Sequence, residues 1–218
     1  DIGLAFDGDA DRLGVISPSG EMIFPDMQMI LFSEHILKKN PNSKIVFDVK
    51  CSKLLEKAIL KSNGTPIMSK TGHTFIKTSI RKNNAILGGE MSGHIFFNDR
   101  WPGFDDGVYA GARMLEIISS SEVDDIFKDL PKLVSTPEIN IPTTDEDKFA
   151  IIDEFKEKSN FEGGNIIDID GIRVEFDDGW GLIRASNTSP VLVLRFEADS
   201  AKTLNEIKEM FKDNLRKI

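Results

Sequence analysis

Between residues 26 and 119, short apolar runs alternate with stretches whose apolar residues return every three or four positions, and this alternation limits the fold more than any other feature. Met27, Ile30, Leu31, Ile36 and Leu37 make a helical stripe over residues 26–40, which Asn40 and Pro41 end. Residues 44–49 read as a buried strand, 54–62 as a helix, 65–68 as a strand and 75–83 as a helix. A further strand begins at 85–87, and 105–119 is helical, with Val108, Ala112, Leu115 and Ile118 on its stripe. Strands separated by helices pair in parallel, because each helix supplies the crossover that parallel neighbours need. The expectation is an α/β layer.

The flanks differ from this middle. Residues 2–6 and 13–17 are short apolar runs on either side of a polar stretch, so they predict a strand, a loop and a strand. Residues 131–147 carry three prolines and a cluster of Thr, Glu and Asp, the composition of a domain linker. After it come a helix at 146–158 and strands near 165–168, 171–176, 181–184 and 191–197. A last helix runs from Ser200, a suitable N-cap, to about residue 215. Strands gathered between two helices predict a small α+β domain.

Composition matters mainly for what it excludes. With 40% hydrophobic and 29% charged residues, the chain is that of a globular protein rather than a disordered one. A net charge of −9 argues against nucleic acid or an anionic membrane as partner. A phosphorylated small molecule stays open, because a few local basic groups outweigh a distant, screened acidic surface. Cys51 is the single cysteine, so no intrachain disulfide forms, and a reducing cytoplasm fits. No apolar run approaches the roughly 18 residues of a membrane helix. Asp1 stands where an initiator Met would, and the run 2–6 reads as a strand already under way, so a piece of a longer protein is expected.

Three loops carry chemistry. Residues 7–12 (Asp-Gly-Asp-Ala-Asp-Arg) place carboxylates at alternate positions, where they can converge on one hard cation such as Mg²⁺ or Ca²⁺. An EF-hand is ruled out, since its sixth position would be Arg12 and its twelfth Pro18. The alternative is an acidic solvated turn, although three unneutralised carboxylates so close would repel. Residues 88–94 (Gly-Gly-Glu-Met-Ser-Gly-His) pair glycines, which let backbone approach a ligand, with Glu90, Ser92 and His94 at alternate positions. In an extended loop all three would point one way, a set suited to a sugar diol and a proton transfer. The alternative is a glycine-rich turn. Residues 184–190 (Arg-Ala-Ser-Asn-Thr-Ser-Pro) lie between two strands and offer an arginine, hydroxyls and free backbone N–H groups to a phosphate, or else form a polar hairpin turn. The glycine spacing and Lys of a Walker loop are absent, and Ser186 and Ser189 lack a nearby histidine to act as base. Lys50 ends a strand and His73 opens a helix, both places where α/β folds touch ligands. Trp101 and Phe104 are expected in the core.

In this order, the loops resemble those of the α-D-phosphohexomutase superfamily, and bacterial phosphomannomutase/phosphoglucomutase most of all. Residues 7–12 resemble its metal loop, 89–94 its sugar loop and 184–188 its phosphate loop; 48–51, 70–73 and 101–107 also match. Met91 points the same way, since phosphoglucosamine mutases usually carry Gln there. The resemblance implies a four-domain enzyme, with residues 1–20 closing the second domain, 21–133 forming the α/β third and 134–218 the α+β fourth. It implies interconversion of hexose 6-phosphate and hexose 1-phosphate through a phosphoserine and a hexose 1,6-bisphosphate. The phosphoserine loop is absent, so the nucleophile would belong to N-terminal domains preceding Asp1, and this portion alone would be inactive. Asp7, Asp9 and Asp11 would hold Mg²⁺, with Arg12 beside the transferring group. Glu90 and Ser92 would grip the sugar, and Arg184, Ser186, Asn187 and Thr188 the distal phosphate. Lys50, His73 and His94 are expected at the cleft, with His94 as general base. Ala10 replaces a glycine of many relatives, without expected harm. The rival readings are a phosphoglucosamine mutase and a non-catalytic sugar-phosphate-binding module.

Overall fold

The computed structural model describes residues 2–121 and 123–218, which form two compact units, Asp1–Pro131 and Lys132–Ile218. In the first unit, β1 (Gly3–Phe6) and β2 (Leu13–Ile16) form an antiparallel hairpin around the acidic loop, and β3 (Met22–Ile23) adds to its β2 edge. Then follow α1 (Pro25–Leu37), β4 (Lys44–Asp48), α2 (Lys53–Lys61), β5 (Thr65–Ser69), α3 (His73–Asn83), β6 (Leu87–Gly89), β7 (Ile95–Phe97), α4 (Gly107–Ser119) and α5 (Val123–Lys128). Pro25 presets the backbone at the start of α1, where no N–H is needed. Ser52 and Asp106 cap α2 and α4, accepting from Leu54 N and Tyr109 N at 3.1 and 2.8 Å.

The sheet order is β5-β4-β6-β7, with β4 parallel to β5 and β6, and β7 antiparallel to β6. Alternate residues of β4 serve two cores. Ile45 and Phe47 join Met29, Leu55 and Met114 of α1, α2 and α4, while Val46 joins Ile76 and Ile80 of α3. The paired glycines of residues 88–94 belong to this packing. A Cβ on Gly88 would come 2.6 Å from Ile80 Cδ1, and one on Gly89 2.5 Å from Met29 Sδ. They let α3 and α1 close on opposite faces of β6, which corrects the expectation that they serve the approach of a ligand.

The second unit is an antiparallel sheet of β10 (Asn165–Ile167), β11 (Ile172–Phe176), β12 (Gly179–Ala185), β13 (Val191–Ala198) and β8 (Val134–Ser135), in that order, with β9 (Ile139–Pro142) also on β13. Helices α6 (Asp147–Lys158) and α7 (Ala201–Leu215) place Ile152, Phe155, Ile207 and Phe211 against Val174, Ile183, Leu194 and Phe196. The stretch expected as a linker therefore supplies two strands. Its prolines do not prevent this, because Pro142 ends β9, where a missing donor costs least. Trp101 and Phe104 also depart from expectation. They are 37% and 42% exposed, and the Trp101 ring stacks on Tyr109 at 4.4 Å.

Candidate active site

The hairpin β1–β2 presents the acidic loop, and that loop is stitched to the turn between β6 and β7. Leu13 N donates to Gly93 O at 3.2 Å, Arg12 and His94 form an isolated β-bridge, and Gly107 N donates to Ala10 O at 3.0 Å. Thus two loops more than 75 residues apart in sequence share one wall. Asp7, Asp9 and Asp11 can each place a carboxylate oxygen within 4.8 Å of the others. Three hard oxygen donors gathered in one loop are of the type Mg²⁺ takes, an ion whose neighbouring donors lie about 3 Å apart and opposite ones about 4 Å.

Arg12 occupies part of the set. Its Nε donates to Asp7 Oδ2, its backbone N to Asp7 Oδ1 at 3.2 Å, and its Nε lies 3.7 Å from Asp11 Oδ1. Burial pushes the Asp7 carboxyl up, but the hydrogen bonds and charge of Arg12 outweigh it and hold the group below its ordinary value. Asp11 Oδ1 is buried without a hydrogen bond, an acceptor that a cation would satisfy. Ala10 turns the loop at φ 59°, the left-handed region in which a glycine would be unstrained. Its methyl group therefore carries a modest strain that the sequence reading did not anticipate.

Glu90 and His94 meet across a turn rather than along an extended strand. Gly93 N donates to Glu90 O at 3.0 Å, and Glu90 N to His94 O at 2.9 Å. His94 Nδ1 lies 2.8 Å from Ser92 Oγ and 3.4 Å from Glu90 Oε2, and its Nε2 lies 3.3 Å from Asp11 Oδ2. Burial alone would lower the imidazole pKa. The hydrogen bond and charge of Glu90, with Asp11 and Asp105, reverse this and make His94 a stronger base than usual. Glu90 itself is 2% exposed and also accepts from Gly72 N at the start of α3. His73, the first residue of α3, lies near His94, with ring centroids 6.0 Å apart and planes tilted by 31°. Lys50 sits two residues past the C-terminal end of β4, 8% exposed.

Asp48, which lies in the matching stretch 48–51 but has no role in the sequence motifs, holds these loops at the end of β4. It is fully buried and accepts from Thr71 Oγ1 at 2.9 Å, Met91 N at 3.2 Å and Cys51 Sγ at 3.1 Å. One carboxylate thereby fixes the loop before α3, the turn carrying Glu90 and the loop of Lys50.

In the second unit, the β12–β13 hairpin presents Arg184, Ser186, Asn187 and Thr188. Arg184 is 3% exposed, its Nε donates to Asp170 Oδ2 at 2.9 Å, and its Nη2 is buried without a hydrogen bond. The backbone N–H groups expected to be free are partly used. Ser186 Oγ accepts from Thr188 N at 3.3 Å and Ser189 N at 3.2 Å, so this hydroxyl shapes the loop from within. Lys148, also missed in the sequence, is 4% exposed and donates to Ser189 O at 3.2 Å.

The chain is thus an α/β unit with helices on both faces of its sheet, followed by an antiparallel α+β unit. Residues 24–134 match the family model for phosphoglucomutase/phosphomannomutase alpha/beta/alpha domain III, and residues 138–214 match that for the C-terminal domain. The chain belongs to the phosphoglucomutase/phosphomannomutase family. It is 54% identical over 215 residues to a phosphoglucomutase of Neisseria meningitidis, covering 97% of this chain and 47% of that protein. It is 49% identical over 220 residues to the phosphomannomutase/phosphoglucomutase of Pseudomonas aeruginosa, covering 100% of this chain and 48% of the other. The crystal structure of a family protein from Burkholderia thailandensis superposes with a TM-score of 0.93 at 46% identity, over 99% of this chain and 46% of that one. The chain spans about half the length of the curated relatives it matches. Among the described residues, no helix is long and apolar enough to cross a membrane.

Proposed function

We propose that this chain is the metal-, sugar- and phosphate-handling half of a magnesium-dependent hexose phosphomutase that interconverts hexose 6-phosphate and hexose 1-phosphate in the cytoplasm. The observation that carries the proposal is the chain of contacts Glu90–His94–Asp11, which ties a sugar-type turn to a metal-type loop. Phosphoryl transfer depends on positioning and charge stabilisation, and these residues supply both. Asp7, Asp9 and Asp11 would hold Mg²⁺, which neutralises charge on the transferring phosphoryl group when bound. Arg12 stays beside that group, Glu90 and Ser92 orient sugar hydroxyls, and His94 accepts the proton of the attacking hydroxyl. Lys50 and His73 complete the sugar-phosphate contacts. Arg184, with its unpartnered nitrogen, and Ser186, Asn187 and Thr188 hold the phosphate that is not reacting. The phosphoserine nucleophile and its domains would lie N-terminal to this chain, with hexose 1,6-bisphosphate as intermediate and activator.

The test is activity of the longer polypeptide on glucose 1-phosphate, mannose 1-phosphate and glucosamine 1-phosphate, with Glu90→Ala beside it. Glu90→Ala should lower kcat/KM about 10- to 100-fold for glucose and mannose alike, the effect of losing one buried charged hydrogen bond. Unchanged kcat/KM for both would remove Glu90 from the site. Preference for glucosamine 1-phosphate would replace the proposal with a phosphoglucosamine mutase, and no turnover at all with a binding module.

A further inference from the structure

Asp105 lies between the Trp101 loop and α4, and neither the sequence motifs nor the family match gives it a role. Its carboxylate is 10% exposed and bridges two residues of α3, with Oδ2 3.3 Å from His73 Nδ1 and Oδ1 3.1 Å from Lys77 Nζ. The backbone beneath it is fixed. Asp105 forms an isolated bridge with Phe96, and Asp106 caps α4. Asp105 also belongs to a cluster with Asp11 and His94, each offering one ligand-type atom within 4.8 Å of the others. Burial pushes its carboxyl up, but the hydrogen bond and charge of Lys77, with the charge of His94, bring it below its ordinary value. It is an anion at neutral pH.

A carboxylate anion only accepts hydrogen bonds, so the proton between Asp105 and His73 belongs to His73 Nδ1. The ammonium of Lys77 lies 3.4 Å from the same Nδ1 and, as a donor only, would there call for the Nε2–H form, but its shorter contact, 3.1 Å, is to the other carboxylate oxygen, which leaves Nδ1 to Asp105. With Nδ1–H committed to Asp105, the lone pair of the neutral ring lies on Nε2, on a side chain 57% exposed at the first turn of α3. We infer that Asp105 is a positioning residue that holds His73 in the Nδ1–H tautomer, so that Nε2 is the atom presented to a hydroxyl of the sugar phosphate. The tautomer is inferred from the contacts and charge of Asp105, whereas the identity of the ligand rests on the mutase reading above. The role matches that of the outer carboxylates that orient imidazoles in many sites, where the hydrogen bond at one ring nitrogen decides what the other does.

The tautomer is read from two-bond ¹H–¹⁵N correlations of the 218-residue chain labelled at its three histidines, at a pH where the rings are neutral. The expected result is Nδ1–H for His73 in the native chain, a shift to the Nε2–H form preferred by free imidazole in Asp105→Ala, and partial return in Asp105→Glu. An unchanged amide spectrum elsewhere and an unchanged His35 pattern control for folding. Asp105→Leu serves if the alanine variant does not fold. A native His73 in the Nε2–H form would overturn the inference, as would an alanine or leucine variant that folds and keeps Nδ1–H. In a second arm, glucose 1-phosphate added to the native chain should move the His73 Nε2 resonance more than Nδ1. Absence of any such shift would sink the ligand end of the inference and leave the tautomer standing. Equal shifts in native and variant chains would show that sugar phosphate binds without help from Asp105.

Discussion

The two candidate binding regions are built on opposite electrostatic plans. In the first unit, Asp7, Asp9, Asp11, Glu90 and Asp105 crowd one wall, and their charge is offset only in part from within. Arg12 leans on Asp7, His94 lies between Glu90 and Asp11, and Lys77 and His73 lean on Asp105. In the second unit, Arg184 pairs with the carboxylate of Asp170, hydroxyl and amide side chains follow it in the hairpin, and one guanidinium nitrogen is buried without a hydrogen bond. A wall of acids gains by taking up further positive charge, whereas a buried guanidinium with a spare donor gains by taking up an anion. The regions also differ in how they are held. The acidic wall is assembled from loops far apart in sequence around Asp48, while the hairpin is organised locally by Ser186.

That difference in assembly predicts the largest effect. Asp48→Ala leaves the hydroxyl of Thr71 and the backbone N–H of Met91 without their acceptor and should cost the first unit roughly 3 kcal/mol or more. Apart from Arg184, itself buried against Asp170, no single residue of the 184–190 hairpin should cost the second unit as much. Hydrogen exchange resolved by residue would separate the two units. Equal loss of protection in both, or a loss below 1 kcal/mol, would break the contrast between a wall hung on one anchor and a hairpin held at several points.

The next prediction concerns charge. Arg184→Ala should weaken binding of glucose 1-phosphate to this chain about 10- to 100-fold, since a charge-assisted hydrogen bond contributes about 1.5–3 kcal/mol. Arg184→Lys should restore only part of this. A lysine cannot hold Asp170 through one nitrogen while offering the anion another in the same plane. Full rescue by lysine, measured by calorimetry, would mean that only the point charge matters and that the Asp170 contact is incidental.

These anchors also mark the limit of what the sequence discloses. Long periodic segments were readable, as α1, α4 and α7 were, because many residues repeat the same signal. β7, of three residues after a turn, is too short to show a period, and the prolines around β8 and β9 disguised strands that pair with β13. In the site, the alternate carboxylates of residues 7–12 were legible because their spacing is local. Asp48 and Asp105 were not, since their roles depend on partners 23 to 43 residues away, which meet them only in the folded chain. The turn at Glu90–His94 was misread for a related reason. A period of two implied an extended path, whereas the observed convergence comes from a turn closed by Gly93 N and Glu90 O.

The smallest predicted effect tests whether the acidic wall stores strain where the hairpin does not. The positive-φ residues that are not glycine include Ala10 at 59°, and none lies between residues 184 and 190. A left-handed alanine costs roughly 1–2 kcal/mol relative to the right-handed form. Replacing it by glycine relieves that cost but gives the unfolded chain more freedom, which returns about 0.4–1 kcal/mol. The difference leaves Ala10→Gly more stable by about 0.5 kcal/mol, or about 1–2 °C in the melting of a chain this size. The loop stays hydrogen-bonded at both ends of the turn, through Ala10 N to Asp7 O at 3.2 Å and Gly107 N to Ala10 O, so Mg²⁺ affinity should change less than twofold. A clear loss of stability would show that the unfolded-state term dominates and that the fold accommodates the methyl group without strain. A gain in stability with a large fall in Mg²⁺ affinity would be more informative. It would mean that Ala10 keeps Asp9 and Asp11 in register, so that a small local cost maintains the geometry of the acidic wall.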